Sequence, residues 1–567
     1  MTDQPDLRHP YLTSQLIAYI GNKRALLRFL HEVLREVEGC VAATSGRKGG
    51  VTFLDPFAGS GAVSRLARTM GFSVGANDWE PYSFVINSCH LGLSPRKLAD
   101  LFRSLGGMDG ALRELNSLPP PSEPERYIAR HYAPRETKTA DWRTERLFYT
   151  TENALKIDAI RQRIEEMYPG DPANSADRAR KAALVAPLLY EAATHTNTSG
   201  VFKACHRGFG GHGRDALTRI MAPISLEMPV VVESDAPSKV ACEDAVKFLS
   251  ARAADICYLD PPYAVHQYGS NYFMLNSIAL WDRPSVSEER GPDGRLLKKA
   301  GIRADWVRTR SRFCYPSTAL AALREVVQAA DCRHLVVSYS NEGLIGLEEL
   351  CDVLSETGKL SVRSTGYVKY PGGKQSLGRR TSNTELALIV DRRAGPLTAG
   401  AAASRTREVL RNVAVSQLLG RAFDPERIRR SFRTVSEGII IETGGHPHLL
   451  AMRHHWRFAT GACAPRFPET SEADSFIQRL TECEVADVKE EIEILVRVTG
   501  AEQEGAERLR LVRVMLRLFN KLAHRKYARE FAEALAVLQR LATKLGDPEE
   551  LQAGLARVVD TAARRKR

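Results

Sequence analysis

Short apolar runs alternate with longer amphipathic stretches along the first two thirds of the chain. Runs of this kind, which are typical of buried strands, occur at 51–54, 72–76, 256–259, 334–338 and 385–390. Helical spacing of apolar positions is found at 62–70, 152–167 and 178–194. Strand and helix patterns that alternate in this way predict an α/β fold built around a mostly parallel sheet.

A glycine-rich turn follows the first apolar run. Residues 55–61 read DPFAGSG, and Gly59 and Gly61 permit positive φ and close approach of the backbone to a ligand. The turn contains neither GxxxxGK[ST] nor GxGxxG, so a phosphate P-loop is excluded and a dinucleotide is disfavoured. Asp78 ends the next strand, where an acid accepts ribose hydroxyls. We therefore expect a cofactor that contains adenosine but no pyrophosphate, and S-adenosylmethionine fits.

The tetrapeptide Asp260-Pro261-Pro262-Tyr263 follows the apolar run at 256–259. It is predicted to lie at the carboxyl end of a strand, where ligands gather in α/β sheets. Its carboxylate can accept a hydrogen bond from an exocyclic amine, and its prolines have no N–H and leave carbonyl acceptors. The tyrosine ring offers a π-face for a flipped base. This combination indicates methylation of an amine on a nucleobase.

Three motifs in this order resemble the Dam-like (D12 class) N6-adenine DNA methyltransferases. They are Tyr19–Lys23 (YIGNK), Asp55–Gly61 and Asp260–Tyr263, and segments 76–82 and 266–272 add to the resemblance. It extends from about residue 11 to residue 391 by motif matching. The resemblance implies a Rossmann-like S-adenosylmethionine-dependent methyltransferase sheet with an inserted helical target-recognition region. It also implies DNA adenine N6-methylation, in restriction-modification or phage defence.

The resemblance assigns roles to individual residues. It matches Asp244 to the acid that contacts the cofactor's adenine; many relatives have an aromatic residue next, where this chain has Ala245. The expected catalytic residues are Asp260, Pro261, Pro262 and Tyr263. The expected cofactor residues are Tyr19, Gly21, Lys23, Asp55, Phe57, Ala58, Gly59, Gly61, Asp78, Asp244 and Ala245.

Two basic, glycine-containing stretches are candidates for contact with double-stranded DNA. Residues 198–214 lie in the interval where the family places target recognition, and residues 370–380 form a second basic turn. Lysine and arginine there can bind phosphates, and glycine allows close backbone approach. The expected DNA-binding residues are Lys203, Arg207, Arg214 and Lys374. A mobile surface loop is the alternative for the first stretch, and an ordinary hairpin loop is the alternative for the second.

Other functions remain open at this point. Cytosine N4 is a second possible target, because the tetrapeptide chemistry suits any exocyclic amine. An RNA adenine methyltransferase would share the pocket but read 2′-hydroxyls. A DNA-binding scaffold of a defence complex is a non-catalytic alternative, which the intact tetrapeptide disfavours.

Composition agrees with a nucleic-acid enzyme. The 567-residue chain has a formal net charge of +12, which favours a polyanionic partner. Its ten cysteines form no CxxC pair, so a zinc ribbon is not indicated, and we expect no metal. We also expect free thiols, no secretory signal, no membrane span, and a cytoplasmic, nucleoid-associated bacterial protein.

The length predicts more than one domain. We expect a catalytic domain at 1–395 with an inserted target-recognition region at 95–235, a linker at 396–410, and a mainly helical domain at 411–567. Apolar stripes at 512–522 and 531–545 predict the core of a helical bundle. This domain carries no recognised chemistry, and either a cognate restriction or defence protein or DNA could bind it.

Overall fold

The structure is a computed structural model of the chain. It describes residues 6–45, 50–211, 214, 216–368, 382–395, 397–453, 457–458, 465, 467, 470–501, 505–546 and 548–566. The chain divides into two compact units. The first comprises residues 1–363 and 386–406, and the second comprises residues 364–385 and 407–567.

A seven-stranded sheet provides the framework of the α/β region. Its strands are β1 (Thr52–Asp55), β2 (Ser73–Asn77), β3 (Ser238–Ala241), β4 (Ala253–Leu259), β5 (Asp331–Ser340), β6 (Lys359–Val368) and β7 (Ser382–Asp391). Their order is β3-β2-β1-β4-β5-β7-β6. The pairs β1–β2, β1–β4, β2–β3 and β4–β5 are parallel.

The centre of this sheet is a topological switch point. Phe53 of β1 lies opposite Val74 of β2 on one side and opposite Ile256 of β4 on the other. The chain therefore leaves β1 and β4 at the same sheet edge, and the turns that follow them open a crevice there. The predicted α/β class is confirmed, although β3 and β6 lie where no strand was expected.

In the described part of this region, α-helices accompany the sheet. They are α1 (Pro10–Thr13), α2 (Leu27–Ser45), α3 (Ala62–Thr69), α4 (Pro81–Gly92), α5 (Pro95–Leu101), α6 (Gly107–Ser117), α7 (Ile128–Tyr132), α8 (Thr151–Met167), α9 (Ser175–Thr194), α10 (Leu217–Met221), α11 (Ala245–Ser250), α12 (Tyr268–Asn271), α13 (Phe273–Leu280), α14 (Pro316–Ala329) and α15 (Leu347–Ser355). Helices α4 to α10 lie between β2 and β3 in the chain, so the insertion predicted at 95–235 is helical.

Helices α8 and α9 confirm the two long helices predicted there. Thr150 caps α8 by accepting a hydrogen bond from the Asn153 N–H, and Asn174 caps α9 in the same way. Ala154, Ile157 and Ile160 of α8 are buried. The apolar stripe therefore faces a core that the insertion shares with α4 and α13.

The segment predicted as a linker at 396–410 is largely helical. Helix α16 spans Ala399–Leu419. Alanine has the highest helix propensity of any residue, and the run Ala401–Ala403 outweighs the single Gly400 in the first turn. The division between the two compact units falls after residue 406, within the segment predicted as a linker.

The second unit also contains strands that the prediction of a helical domain omitted. A four-stranded sheet has the order β11-β10-β9-β8, with antiparallel pairing of β8 (Arg433–Val435), β9 (Gly438–Thr443), β10 (His446–Arg453) and β11 (Arg457–Phe458). Gly444 and Gly445 both have positive φ, and they join β9 to β10. A Gly-Gly pair between apolar runs is typical of a β-hairpin, so this hairpin could have been predicted from the sequence.

The helical bundle predicted in this unit is confirmed. The remaining helices are α17 (Pro425–Ser431), α18 (Thr470–Glu482), α19 (Val488–Ala501), α20 (Ala506–Leu522), α21 (Ala528–Lys544) and α22 (Glu549–Lys566). Val512 and Met515 of α20 and Leu538 of α21 are buried in one core, and Phe519 stacks on Phe531 at 4.5 Å. Among the described residues, no helix has the length and apolar composition to span a membrane.

Asp158 links two helices of the inserted region, and its loss should loosen one of them. Its buried carboxylate accepts hydrogen bonds from the N–H groups of Ile128 (2.7 Å) and Ala129 (2.8 Å) at the start of α7. Asp158→Ala leaves both donors unpaired, which costs about 1–3 kcal/mol for each buried group. We expect faster amide hydrogen exchange across residues 127–132, measured by mass spectrometry.

The matched control is Asp177→Ala, which removes a part-exposed aspartate that pairs with Arg180 on the surface of α9. This variant should leave exchange at 127–132 unchanged. Equal protection of α7 in the Asp158 variant and the wild type would contradict the role given to this carboxylate.

Candidate active site

A cavity of about 410 Å³ opens at the sheet edge where β1 and β4 end. The turns after these strands, the N-terminal segment 19–23 and residues 309–313 line it. Asp260, Pro261, Pro262 and Tyr263 all lie on its wall. Of the predicted cofactor residues, Tyr19, Gly21, Lys23, Asp55, Phe57, Ala58, Gly59, Asp78, Asp244 and Ala245 also lie there. Gly61 lies outside the lining, with its α-carbon facing Asn87.

The glycine turn after β1 is held by the acid after β2. Asp78 accepts hydrogen bonds from the N–H groups of Gly59 (2.8 Å) and Glu80 (2.9 Å). Ser83 donates to the Gly59 carbonyl at 2.7 Å. Both polar groups of Gly59 are therefore engaged, and the turn is rigid before any ligand arrives.

Tyr19 covers this turn and explains why residue 59 is glycine. Gly59 has φ +52°, and a Cβ there would lie 2.9 Å from Tyr19 Cε1. Tyr19 stacks on Tyr272 at 5.0 Å, and the Tyr272 hydroxyl accepts a hydrogen bond from the Ile20 N–H at 2.7 Å. Burial raises the pKa of Tyr19 well above its usual value, so its hydroxyl stays neutral.

Lys23 lies beside the tetrapeptide. Its Nζ is 2.9 Å from Asp260 Oδ1 and 4.9 Å from the centre of the Tyr263 ring, and its side chain is only 3% exposed. The sequence assigned Lys23 to cofactor binding, whereas in the structure it pairs with the predicted catalytic aspartate. A single ammonium group thus orients both functional side chains of the tetrapeptide.

Three carboxyl groups in the wall of the cavity have raised pKa values. Burial raises the pKa of Asp55 to about 7, although hydrogen bonds from Ser64 and the Phe57 N–H favour its ionised form. Burial also raises the pKa of Glu80 to about 7, and it raises the pKa of Asp78. The wall can therefore gain negative charge near neutral pH when a cation enters.

Asp244 and Phe313 form a further part of the wall. Asp244 caps α11 by accepting hydrogen bonds from the Val246 and Lys247 N–H groups. Phe313 is buried and meets the Phe57 ring edge-on at 5.5 Å. Phe313 lines the same cavity as Ala245, so a distant segment contributes an aromatic ring that local sequence patterns could not reveal.

Three of the four predicted DNA-binding residues lie in the part of the chain that the structure describes. Lys203, Arg207 and Arg214 are exposed, and the Arg207 guanidinium lies 4.8 Å from the centre of the Trp142 ring. Phe202 of the same stretch is buried, and its N–H donates to the Asn271 carbonyl at 2.7 Å. Lys374 lies outside the described residues. The 198–214 stretch is therefore anchored next to the helices that follow the tetrapeptide.

A Rossmann-like sheet with a glycine turn after β1, an acid after β2 and Asp-Pro-Pro-Tyr after β4 defines a methyltransferase. Comparison with known proteins specifies which kind. The chain belongs to the D12 class N6 adenine-specific DNA methyltransferase family, which it matches over residues 19–298. No solved structure gives a significant match.

The curated proteins to which the chain is similar are named as type II methyltransferases or modification methylases. It is 30% identical to the type II methyltransferase M.NlaIII of Neisseria lactamica over 368 residues, which cover 65% of this chain and 96% of the relative. It is 28% identical to the type II methyltransferase M.CviAII of Paramecium bursaria Chlorella virus 1 over 64% of this chain and 95% of the relative. Identity to the modification methylase LlaI of Lactococcus lactis subsp. lactis is 27%, over 63% of this chain but only 52% of that relative.

The packing of Gly59 leads to a test with an internal control. Gly59→Ala adds a methyl group at 2.9 Å from Tyr19, whereas Gly71→Ala, also at positive φ, meets nothing within 4 Å. Both variants incur left-handed strain of about 1–2 kcal/mol. Gly59→Ala should lose about 1–3 kcal/mol more through overpacking. Denaturant unfolding compares the two, and equal losses would contradict the contact with Tyr19.

Proposed function

We propose that this protein transfers a methyl group from S-adenosylmethionine to N6 of adenine at a specific site in double-stranded DNA. The observation that carries the proposal is the position of Asp260–Tyr263, on the same cavity wall as the glycine turn and Asp78. Membership of the D12 class supports adenine as the base. The names of the relatives support a role as the modification enzyme of a restriction-modification system.

The residues present fit S-adenosylmethionine. Gly59 allows Tyr19 to pack directly on the turn, and both residues line the cavity. Asp55 and Asp78 offer carboxylates to a cationic ligand, and Phe57 and Phe313 form an aromatic corner. We propose that Asp78 and Asp244 face the nucleoside part and that Asp55 faces the amino-acid part. When bound, the cofactor supplies a methyl group already activated on a sulfonium.

The tetrapeptide acts on the base. Asp260 and the Pro261 carbonyl accept hydrogen bonds from the N6 amine, whose lone pair is otherwise delocalised into the ring. Lys23 fixes the direction of the Asp260 carboxylate, and Tyr263 stacks on the base after it has left the duplex. Stacking offsets part of an extrusion cost of roughly a few kcal/mol. Alignment of the amine is therefore the main task of this wall.

The second unit lies beyond the family match, which ends at residue 298. We propose that its helical bundle and small sheet bind a cognate restriction or defence protein, or extend the contact with DNA. Methylation itself is assigned to the residues of the first unit.

The product identifies the reaction. Incubation of the full chain with duplex DNA and methyl-deuterated S-adenosylmethionine, followed by digestion to nucleosides and mass spectrometry, should give deuterated N6-methyladenine. RNA of the same sequence should give no product. Label found only on cytosine N4, or only in RNA, would overturn the proposal.

Two aspartate substitutions separate chemistry from cofactor binding. Asp260→Asn removes the carboxylate that meets the amine but keeps a hydrogen-bond acceptor for Lys23, so turnover should fall at least about 100-fold, while the Kd for S-adenosylmethionine changes little. Asp78→Ala frees the N–H groups of Gly59 and Glu80, so cofactor affinity should fall about tenfold or more. Calorimetry with both variants provides the measurement. Equal loss of cofactor affinity in both variants would contradict the separate roles given to Asp260 in chemistry and to Asp78 in cofactor binding.

The raised pKa of Asp55 predicts opposite pH trends for binding and stability. A cationic ligand favours the ionised carboxylate, so affinity for S-adenosylmethionine should rise as pH passes from 6 through about 7. Folding without ligand favours the protonated form, so the contribution of Asp55 to stability falls as pH rises from about 4, its unfolded pKa, to about 7.

Asp55→Asn should flatten both trends, measured by calorimetry and by thermal unfolding at each pH. The comparison variant is Glu80→Gln, because the pKa of Glu80 is also raised to about 7. If only the Glu80 variant loses the binding trend, the cationic part of the ligand faces Glu80 and not Asp55.

A further inference from the structure

A strongly basic segment connects α13 to α14, and the family motifs do not include it. Residues 295–312 contain seven lysines and arginines and a single acidic residue, Asp305. We name residues 295–312 the basic strap. Its first residues belong to a short hairpin in which Leu296 pairs with Arg290 in an antiparallel β-bridge, and it ends beside Phe313 of the cavity wall.

The backbone of the basic strap is fixed by buried side chains. Arg146 is 4% exposed and donates to the carbonyl groups of Lys298 (3.0 Å) and Lys299 (3.1 Å). Arg303 is also buried, and it pairs with both Asp282 and Asp305. Charged hydrogen bonds of this kind hold an irregular segment in one conformation. The strap is therefore a preformed surface.

Gln267 fixes the end of the strap that is nearest to the cavity. Its side chain donates to the Ser311 carbonyl (3.0 Å) and accepts from the Ser311 N–H (2.8 Å). Gln267 lies four residues after Tyr263 of the tetrapeptide. Thr309, Arg310 and Ser311 consequently line the same cavity as Asp260.

Several outward side chains of the strap are cations that form no ion pair with the residues that the structure describes. Lys298, Lys299, Arg308 and Arg310 are exposed. In the part of the chain that the structure describes, no carboxylate forms an ion pair with any of these four within 4 Å. The buried Arg303 and the cavity-side Arg312, by contrast, have carboxylate partners. Exposed cations that have no carboxylate partner in the described protein can attract an anionic ligand.

Trp142 joins the strap to the basic stretch that the sequence singled out. Arg143, Arg207 and Lys299, from three separate segments, lie 4.8–5.5 Å from the centre of its ring. The ring attracts each cation, but the cations repel one another. A phosphate bound among them would relieve this repulsion.

We propose that the basic strap binds the phosphates of the DNA strand that carries the target base and leads that strand from Trp142 to the cavity. The proposal rests on the proposed function, which supplies the DNA. Exposed Lys298, Lys299 and Arg308 contact phosphates and carry no sequence information, because base edges are read in the grooves. Arg310 is the last cation before the cavity.

The test is a salt series with the full chain and a duplex that contains its methylation site. The strap variant is Lys298→Ala, Lys299→Ala and Arg308→Ala; Arg310 is left in place because it lines the cavity. Each lost phosphate contact reduces the slope of log K against log salt by about 0.9, so the slope should fall by about 2 to 3 in total. The KM for DNA should rise at least tenfold while kcat stays close to the wild-type value.

The matched control removes the same charge elsewhere, with Arg28→Ala, Lys239→Ala and Lys359→Ala at exposed positions of the first unit outside the inserted region. It should keep most of the wild-type salt slope, and thermal unfolding verifies that both triple variants are folded. A strap variant with the slope of the control would overturn the strap proposal and leave the proposed function intact. A wild type that neither binds nor methylates duplex DNA would instead overturn the proposed function.

Discussion

The ion pair between Lys23 and Asp260 is the interaction on which the architecture of the cavity depends. It joins the N-terminal segment to the turn after β4, and only 3% of the lysine side chain is exposed. Removing either partner would leave a buried charge uncompensated, which is far more costly than losing a surface pair. Because Lys23 also lies against Tyr263, the same ammonium orients the carboxylate and the ring that are proposed to meet the base.

A second set of contacts holds the opposite wall. Asp78 fixes the Gly59 turn from below, and Tyr19 covers it from above. Tyr19 belongs to the same five-residue segment as Lys23, so one short stretch of chain braces both walls. The cavity is consequently a closed arrangement of three loops around the ends of β1, β2 and β4. Few of its polar groups need to move when a ligand enters, which favours alignment as the source of rate enhancement.

Local sequence was enough to predict the turns that form the walls of this cavity, but not the side-chain contacts that join these walls. The turns at 55–61 and 260–263 are set by glycine and proline, so their positions after buried strands could be predicted residue by residue. The partner of Lys23 is more than two hundred residues away, and Phe313 meets Phe57 across a similar distance. Such pairs leave no periodic pattern. The helix over 399–419 and the Gly444-Gly445 hairpin were misjudged for a different reason, since composition was given more weight than propensity and turn chemistry.

The position of β4 next to β1 has a consequence for synthesis of the protein. Phe53 pairs with Ile256, so β1 lacks its neighbour on that side until the whole helical insertion has been translated. At about 5–20 residues per second, the wait lasts roughly 10–40 s. During this time one edge of β1 is open to wrong pairing, a hazard of long-range parallel sheets. The inserted helices share their buried core with α13, which follows β4 in the chain, so this core is also incomplete during the interval. Chaperone dependence during expression should therefore originate both at the edge of β1 and at the unfinished core of the insertion.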